Sequence, residues 1–486
     1  MSPAPIAATA EAPPTATLSF REKVAYASGN FASVLYWQTF AAYLSFFYTD
    51  VLGLTAAMTA AVLGLSRSLD AFVDPVMGLV ADRTESRWGR FRPYLLWLCV
   101  PLAVAGVLAF TVPALGPTGR LVWAIVTYNS LMLLYTGINI PYLAMIGVMT
   151  PHPAERLRLS ANMLIGAFAA GNLISWTLLP LTRWVGGGQV AAGWRNAFLL
   201  VGVVATGCFL VTFANTRERI RPPQTRQTPV REDLRDLLAN APWLILLVVS
   251  ITFMLFGAVR ASVSVHYFKY FVGTQTVSLP SFLPLIGGRH DWSFEYLISA
   301  FNGLGQAASL VSVLLMPFLT RLGGPRKVFF ACLSVGIVCT AAFYFLGPGQ
   351  LPLILLLNTV SSFCGGLSFA LLWPMCADTA DYGEWKRGRR ATGLVLSAAV
   401  LVQKQGWAIG SWIALALLDH FGFVANQAPT PRALHGLVLL MSLIPAAFGV
   451  LCVIVMFFYP LTEAEVHRIA SELEVRRAAP RPVEPA

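Results

Sequence analysis

Charged residues are scarce in this chain. Asp, Glu, Lys and Arg make up only 12% of its 486 residues, whereas a soluble domain carries about a quarter. Hydrophobic residues make up 56%, and apolar runs of membrane-spanning length recur from one end to the other. This composition excludes a soluble globular protein and predicts an all-α integral membrane protein.

Three other features are missing. The seven cysteines have no metal-type or paired spacing, so we interpret them as small apolar residues rather than as ligands or disulfides. Residues 1–20 are rich in Ala, Pro and Thr and lack a basic start followed by an apolar core, which predicts a disordered cytoplasmic tail and not a signal peptide. No nucleophile–base pair or metal constellation occurs, so we expect neither an enzyme nor a cofactor.

Twelve apolar spans are predicted, at 22–49, 55–82, 93–113, 120–148, 159–182, 195–214, 242–271, 293–319, 328–346, 351–380, 391–418 and 434–459. A charged, proline-containing segment divides them six and six. We therefore expect a tail at 1–20, six-helix bundles at 21–214 and 242–460, a cytoplasmic linker at 215–241 and a tail at 461–486. Two six-helix halves around a central cavity are typical of the major facilitator fold.

The basic residues outside these spans are unevenly distributed. Twenty-five Lys and Arg residues fall on the side of the termini and the linker, and five fall on the other side. The positive-inside rule places the first side in the cytoplasm. We interpret the net charge of +11 as a topology signal for a cell-membrane protein that contacts anionic lipids, not nucleic acid.

Span 2 carries three charged residues on one helical face: Arg67, Asp70 and Asp74. A carboxylate at bilayer depth is costly and tends to be functional. Two carboxylates on one face resist joint ionisation unless a cation or proton joins them. The pair therefore predicts a coupling site for H⁺ or Na⁺, with a structural Arg67–Asp70 salt bridge as the alternative.

Two other spans can complete this site. Lys404 lies deep in span 11 and needs a counter-ion, for which the two aspartates are candidates; the alternative is a lysine that snorkels to the interface. In span 4, Thr136 can offer an oxygen to a sodium ion and Asn139 can bond a sugar hydroxyl. Polar residues that tie helices together are the alternative for both.

Further residues are candidates for the substrate and for gating. Substrate-binding candidates on other spans are Tyr26, Gln38, Tyr142, Arg260, Trp373 and Trp407. His266 and Lys269 fall near the outer end of span 7, where we expect a solvated or interfacial role. Charges at the cytoplasmic ends predict inter-helix bridges that latch one state, or topology signals alone: Asp82, Arg83, Asp378 and Asp381.

Two long motifs resemble the glycoside–pentoside–hexuronide:cation symporters, the family to which melibiose permease belongs. They are DAFVDPVMGLVADRTESRWGRFRPYLLW at 70–97 and ADTADYGEWKRGRRATGLVLSAAVLVQKQGWAIG at 377–410. The similarity runs over about residues 20–460. It implies that Asp70, Asp74 and Thr136 bind the cation and that Lys404 is the associated lysine.

The chain departs from this family pattern at informative positions. Val73 stands where the family has an amide before the second aspartate, which favours a proton over sodium. The sugar-binding acids fall at Val34 and Asn139, so an α-galactoside is not expected. The segment from Asn139 to Tyr142 is more similar to the glycoside and pentoside branch.

We therefore expect a monomeric secondary transporter that imports a glycoside, pentoside or hexuronide together with H⁺ or Na⁺, by alternating access. One alternative is a cation-coupled carrier of an amphipathic anion such as a lysophospholipid, with Arg260 and Lys269 at the head group. A sensor on a transporter fold is a third class. The short tail after Pro460 offers no signalling domain for it.

Overall fold

The structure is a computed structural model that describes residues 18–150, 153–219, 238–279, 288–321, 323–387 and 392–478. Within these ranges the side chains of Arg67, Asp70 and Asp82 lie outside the described part. The predictions made for those three side chains therefore stay predictions.

The N-terminal half consists of six long helical segments. The first is broken at Tyr43 into α1 (Phe20–Ala42), α2 (Leu44–Phe46) and a π-helical turn at Phe47–Val51. The others are α3 (Ala56–Arg83), α4 (Arg92–Ala109), α5 (Pro117–Met149), α6 (Pro153–Val185) and α7 (Val190–Asn215). We call the end where α1 begins and α3 ends the terminal end, and the opposite end the far end.

The C-terminal half repeats this pattern. Helix α8 (Ala241–Tyr267) also finishes in a π-helical turn, Phe268–Val272. It is followed by α9 (Phe294–Thr320), α10 (Gly324–Ala342), α11 (Leu351–Arg387), α12 (Thr392–His420), α13 (Pro431–Met441) and α14 (Leu443–Phe457). The last two are separated only by Ser442, and a short 3₁₀ turn, Phe343–Phe345, follows α10.

Local sequence signals explain where several helices begin. Ser19 accepts a hydrogen bond from the Glu22 backbone N–H (3.2 Å), and the Glu22 carboxylate accepts one from the Ser19 N–H (3.0 Å), which is a capping box. Thr55 and Thr430 cap α3 and α13 with their side-chain oxygens. Nine of the described helices are long and apolar enough to cross a membrane, so the all-α membrane prediction is confirmed.

Two elements were not predicted. An antiparallel hairpin at the far end pairs β1 (Gln275–Leu279) with β2 (Gly288–Trp292), with Gln275 opposite Trp292. Helix α15 (Glu463–Ala478) occupies much of the expected C-terminal tail. It buries Ile469 and Leu473, and its Glu472 accepts a 2.6 Å hydrogen bond from the Trp385 indole.

Two long interfaces join the halves, α3 with α12 and α6 with α9. Each contains a tryptophan against a glycine. A Cβ at Gly64 would lie 3.1 Å from the Trp412 ring, and a Cβ at Gly303 would lie 2.1 Å from the Trp176 ring. The two glycines occupy equivalent helices of the two halves, and so do the two tryptophans. This is the relation expected for parallel repeats about an axis along the membrane normal.

Candidate coupling site

Asp74 is the centre of the candidate site. Its Oδ1 accepts a hydrogen bond from the Thr136 hydroxyl (3.2 Å), and its Oδ2 forms an ion pair with the Lys404 ammonium. The side chains of Asp74 and Lys404 are 17% and 23% exposed, so both are largely buried. The contact brings together α3 and α5 of one half and α12 of the other.

The helical geometry accounts for this meeting. Asp74 lies on α3 and Lys404 on α12, and these two helices pack against each other across the interface between the halves. Since α5 also packs on α3, Thr136 approaches the same carboxylate from the N-terminal half. Asp70 lies one helical turn from Asp74 on α3, and its side chain is among those outside the described part.

This arrangement can exchange one cation for another. A buried carboxylate is stabilised by a neighbouring opposite charge, and here the Lys404 ammonium supplies that charge. A proton or metal cation that binds Asp74 competes directly with Lys404 for the same oxygens. The structure brings Lys404 against Asp74, and its role in a coupling site stays a prediction.

Two predicted substrate residues contact each other instead. The rings of Tyr26 and Tyr142 stack with centroids 4.6 Å apart. Each hydroxyl donates to the other residue's backbone carbonyl, at 3.2 Å and 2.7 Å. Both side chains are fully buried, so in this conformation they tie α1 to α5 and do not line a cavity.

Gln38 has a different position. Its side-chain carbonyl accepts a 3.0 Å hydrogen bond from Gln306 of α9, and its amide donates to Ser175 of α6 at 3.4 Å. It therefore lies where helices of the two halves meet. A half-buried amide at this place is suited to bond a hydroxylated ligand once the halves separate.

Arg260 is held inside the C-terminal half. Its guanidinium donates to Asn358 (3.1 Å) and Ser361 (3.3 Å) of α11 and lies over the rings of Phe301 and Phe343. These partners explain how a cation is accommodated there without a carboxylate partner among the described residues. The geometry gives no support to a head-group role for Arg260.

The remaining substrate candidates are half-buried. Asn139 has no hydrogen-bond partner in the described part of the chain, so its amide is available to a ligand. Trp373 packs edge-on against Phe369, with centroids 6.4 Å apart. Trp407 packs against the core of the C-terminal half. These three therefore stay predictions.

The comparisons with known proteins identify the family. A profile of the MFS/sugar transport protein family matches residues 25–463. The chain belongs to this family. Among similar sugar transport proteins, the isoprimeverose transporter of Lactiplantibacillus pentosus is 32% identical over 94% of this chain and 92% of its own length. The putative glycoside/cation symporter YagG of Escherichia coli (strain K12) is 31% identical over 95% and 96%.

Solved structures agree on the fold. A D-xylose-proton symporter superposes with a TM-score of 0.60 at 13% identity and covers 92% of this chain and 98% of that chain. The nucleoside transporter NupG gives a TM-score of 0.58 at 14% identity, with 91% of this chain and 100% of that chain covered. The predicted major facilitator fold and the predicted family are both confirmed.

Three predicted gating residues of this sugar transport protein have described side chains: Arg83, Asp378 and Asp381. Arg83 is exposed and forms no ion pair with the side chains that the structure describes. Asp378 and Asp381 are half-buried on α11. A bridge from Arg83 to these acids is therefore absent from this conformation, and the latch at the terminal end stays a prediction.

The far end contains a group that the sequence did not reveal. Asp50, in the π-helical turn after α2, forms an ion pair with Lys269 (2.6 Å) and lies 3.2 Å from the His266 ring of the other half. The expected solvated or interfacial role is wrong for His266, which is fully buried. The sequence signal for Asp50 was a single acidic residue directly after span 1. The sequence did not indicate which residue pairs with it.

Proposed function

We propose that this member of the sugar transport family is a cation-coupled symporter of a glycoside or pentoside that works by alternating access. The observation that carries the proposal is the ion pair between Asp74 and Lys404, which spans the two halves next to the Thr136 hydroxyl. A site shared between halves is suited to report its occupancy to both of them. The names of the isoprimeverose and glycoside/cation relatives support a sugar as the cargo.

The transport cycle follows from charge compensation. In the empty carrier, Lys404 neutralises Asp74, so no isolated charge is buried and the halves can reorient. A cation that binds Asp74 releases Lys404 to its second predicted partner, Asp70. The sugar then binds in the central cavity, where we place Asn139 and Gln38 among its ligands. The fully loaded carrier is again compensated and reorients.

We propose a proton as the coupling ion. A sodium ion needs several oxygen ligands, and the described residues around Asp74 supply only its own carboxylate and the Thr136 hydroxyl. The neighbouring Val73 adds none. A proton needs only the carboxylate itself, and the valine at position 73, where the family has an amide, favours it over sodium.

The orientation is also a proposal. The excess of Lys and Arg on the side of the termini and the linker supports a cytoplasmic terminal end. The far end then faces the outside of the cell membrane. In this orientation the cation enters the cell down its own electrochemical gradient, and its entry drives import of the sugar.

Uptake by the purified protein in proteoliposomes tests the proposal. We expect one sugar of a glycoside and pentoside panel to accumulate when the outside is acidic, and we expect collapse of the pH gradient to stop it. Stimulation of uptake by sodium without pH dependence would contradict a proton as the coupling ion. It would not contradict the symport function. Uptake of a lysophospholipid and of no sugar would overturn the substrate class.

A further inference from the structure

Six residues at the far end form one hydrogen-bonded group across the two halves, which we call the far-end cluster: Thr49, Asp50, His266, Lys269, Tyr270 and Asn426. The first two belong to the N-terminal half and the other four to the C-terminal half. Nothing in the coupling site described above uses them.

Asp50 is the hub of the far-end cluster. Its side chain has no exposed surface, yet it contacts the Lys269 ammonium at 2.6 Å and the His266 ring at 3.2 Å. The Tyr270 hydroxyl donates to the same carboxylate. Asn426 donates from its amide to the Asp50 backbone carbonyl (2.7 Å). Four groups of one half thus converge on a single residue of the other.

Neighbouring contacts reinforce this closure. The Ser45 hydroxyl of α2 donates to the Ser262 carbonyl of α8 at 2.7 Å. The Lys269 ammonium also donates to Asn426 (2.7 Å), and the Asn426 backbone N–H donates to the Tyr270 hydroxyl (2.7 Å). Asn426 has φ of 59°, a left-handed conformation that Asn tolerates better than most residues. Its turn is therefore shaped to reach the cluster.

His266 completes the surroundings of the Asp50 carboxylate. Its Nε2 lies 2.8 Å from the Thr49 hydroxyl and 3.2 Å from Asp50, and its Nδ1 is buried without a hydrogen-bond partner among the described residues. Next to this ring, one anion, Asp50, is paired with one cation, Lys269, across the two halves.

We infer that the far-end cluster is the gate of the far end, and that Asp50 and Lys269 are its lock. Opening that end separates a fully buried carboxylate from the ammonium that compensates it in the described structure, so the closed state is favoured until water replaces the pair. A cavity of about 550 Å³, lined by Asp50, Lys269 and Asn426 among others, reaches the cluster.

A second inter-half ion pair at the same end provides the control. Arg183 of α6 lies 3.8 Å from Glu295 of α9, and its side chain is 58% exposed. Exposed pairs at this distance contribute little. If burial of the ion pair is what keeps the far end closed, loss of Arg183 lowers the closed population far less than loss of Lys269 does.

The experiment measures the distance across the far end in the purified full chain without substrate. Spin-labelled unnatural amino acids replace Gly116 and Gly349, one on each half, where a side chain meets open space. In K269M and in D50N we expect the ratio of closed to open populations to fall by about tenfold or more, since one buried charge loses its partner. R183Q should keep the distances of the unmodified protein.

The result is decisive in either direction. The gate is overturned if K269M and D50N have the same closed population as R183Q. If one single variant does not fold, the other is compared with D50N/K269M, which leaves no orphan charge: the double variant should have the larger closed population, and equal populations would overturn the lock. The inference rests on the transporter function, but the distances need no sugar. Failure of sugar uptake by the unmodified protein is therefore a separate outcome.

Discussion

The substitution D74N should uncouple transport from the cation gradient. The described site pairs one carboxylate with one ammonium, so we expect one cation to move with each sugar. Moving one elementary charge through 100 mV supplies about 2.3 kcal/mol. At tenfold per ~1.4 kcal/mol, that energy supports an accumulation of about 40-fold. Without the titratable carboxylate the sugar equilibrates, and its accumulation ratio falls to about one.

Proteoliposomes with a potassium diffusion potential of 100 mV, inside negative, provide the assay. We expect D74N to lose accumulation while it retains sugar exchange at equal concentrations, because exchange needs no net cation movement. D419N removes an exposed carboxylate on α12 and should behave like the unmodified protein. Because D74N removes the partner that Lys404 has in the described structure, D74N/K404M, which removes both charges, is measured beside it. Undiminished accumulation in D74N would refute the coupling scheme.

Three other predictions follow from single contacts. T136V loses a hydrogen bond that favours the ionised form of Asp74, about 1.5–3 kcal/mol, so the proton concentration that half-saturates uptake should fall about 10- to 100-fold, whereas T127V should leave it unchanged. G303A places a methyl group against the Trp176 ring and should cost about 1–3 kcal/mol of stability in thermal denaturation. Bonds from a lysine and an arginine hold the pKa of Glu155 below its usual range, so E155Q should lower the melting temperature at neutral pH.

Each of these has its own control. Among the described residues Thr127 donates only within its own helix, so an equal shift of the half-saturating proton concentration in T127V would remove Thr136 from the site. G365A meets open space, and equal melting of G303A and G365A would contradict the close packing. Because the pKa of Glu155 is lowered, its contribution is present above pH ~4.5 and disappears as the pH falls below that value. A deficit in E155Q that persists in acid would argue against this ion pair.

Sequence reasoning reached the coupling site because charge in an apolar segment is conspicuous. Asp74 and Lys404 stand out among their neighbours, and each needs a partner in a nonpolar environment. Thr136 was less conspicuous, but the family resemblance pointed to it. Helix bounds were predictable for the same reason, since long apolar runs in a membrane leave few alternatives.

The far-end cluster could not be predicted. Asp50 and Lys269 follow the regular helices in π-helical turns, which rotate their side chains away from the face that a 3.6-residue period assigns. Tyr26 and Tyr142 show a related limit. By residue type, both aromatic rings can stack on a sugar. Whether a ring faces a cavity or another helix depends on packing between distant segments, which the sequence does not show.

The two glycine–tryptophan contacts between the halves lie nearer the far end than the terminal end. Gly64 lies eight residues from the far-end start of the 28-residue helix α3, about 12 Å from that end and about 30 Å from the other. Gly303 lies at nearly the same depth, nine residues into α9. A rotation of the halves about the line through both contacts moves the terminal end more than twice as far as the far end. For any rotation about this line, the far-end cluster is therefore displaced less than half as far as the terminal end.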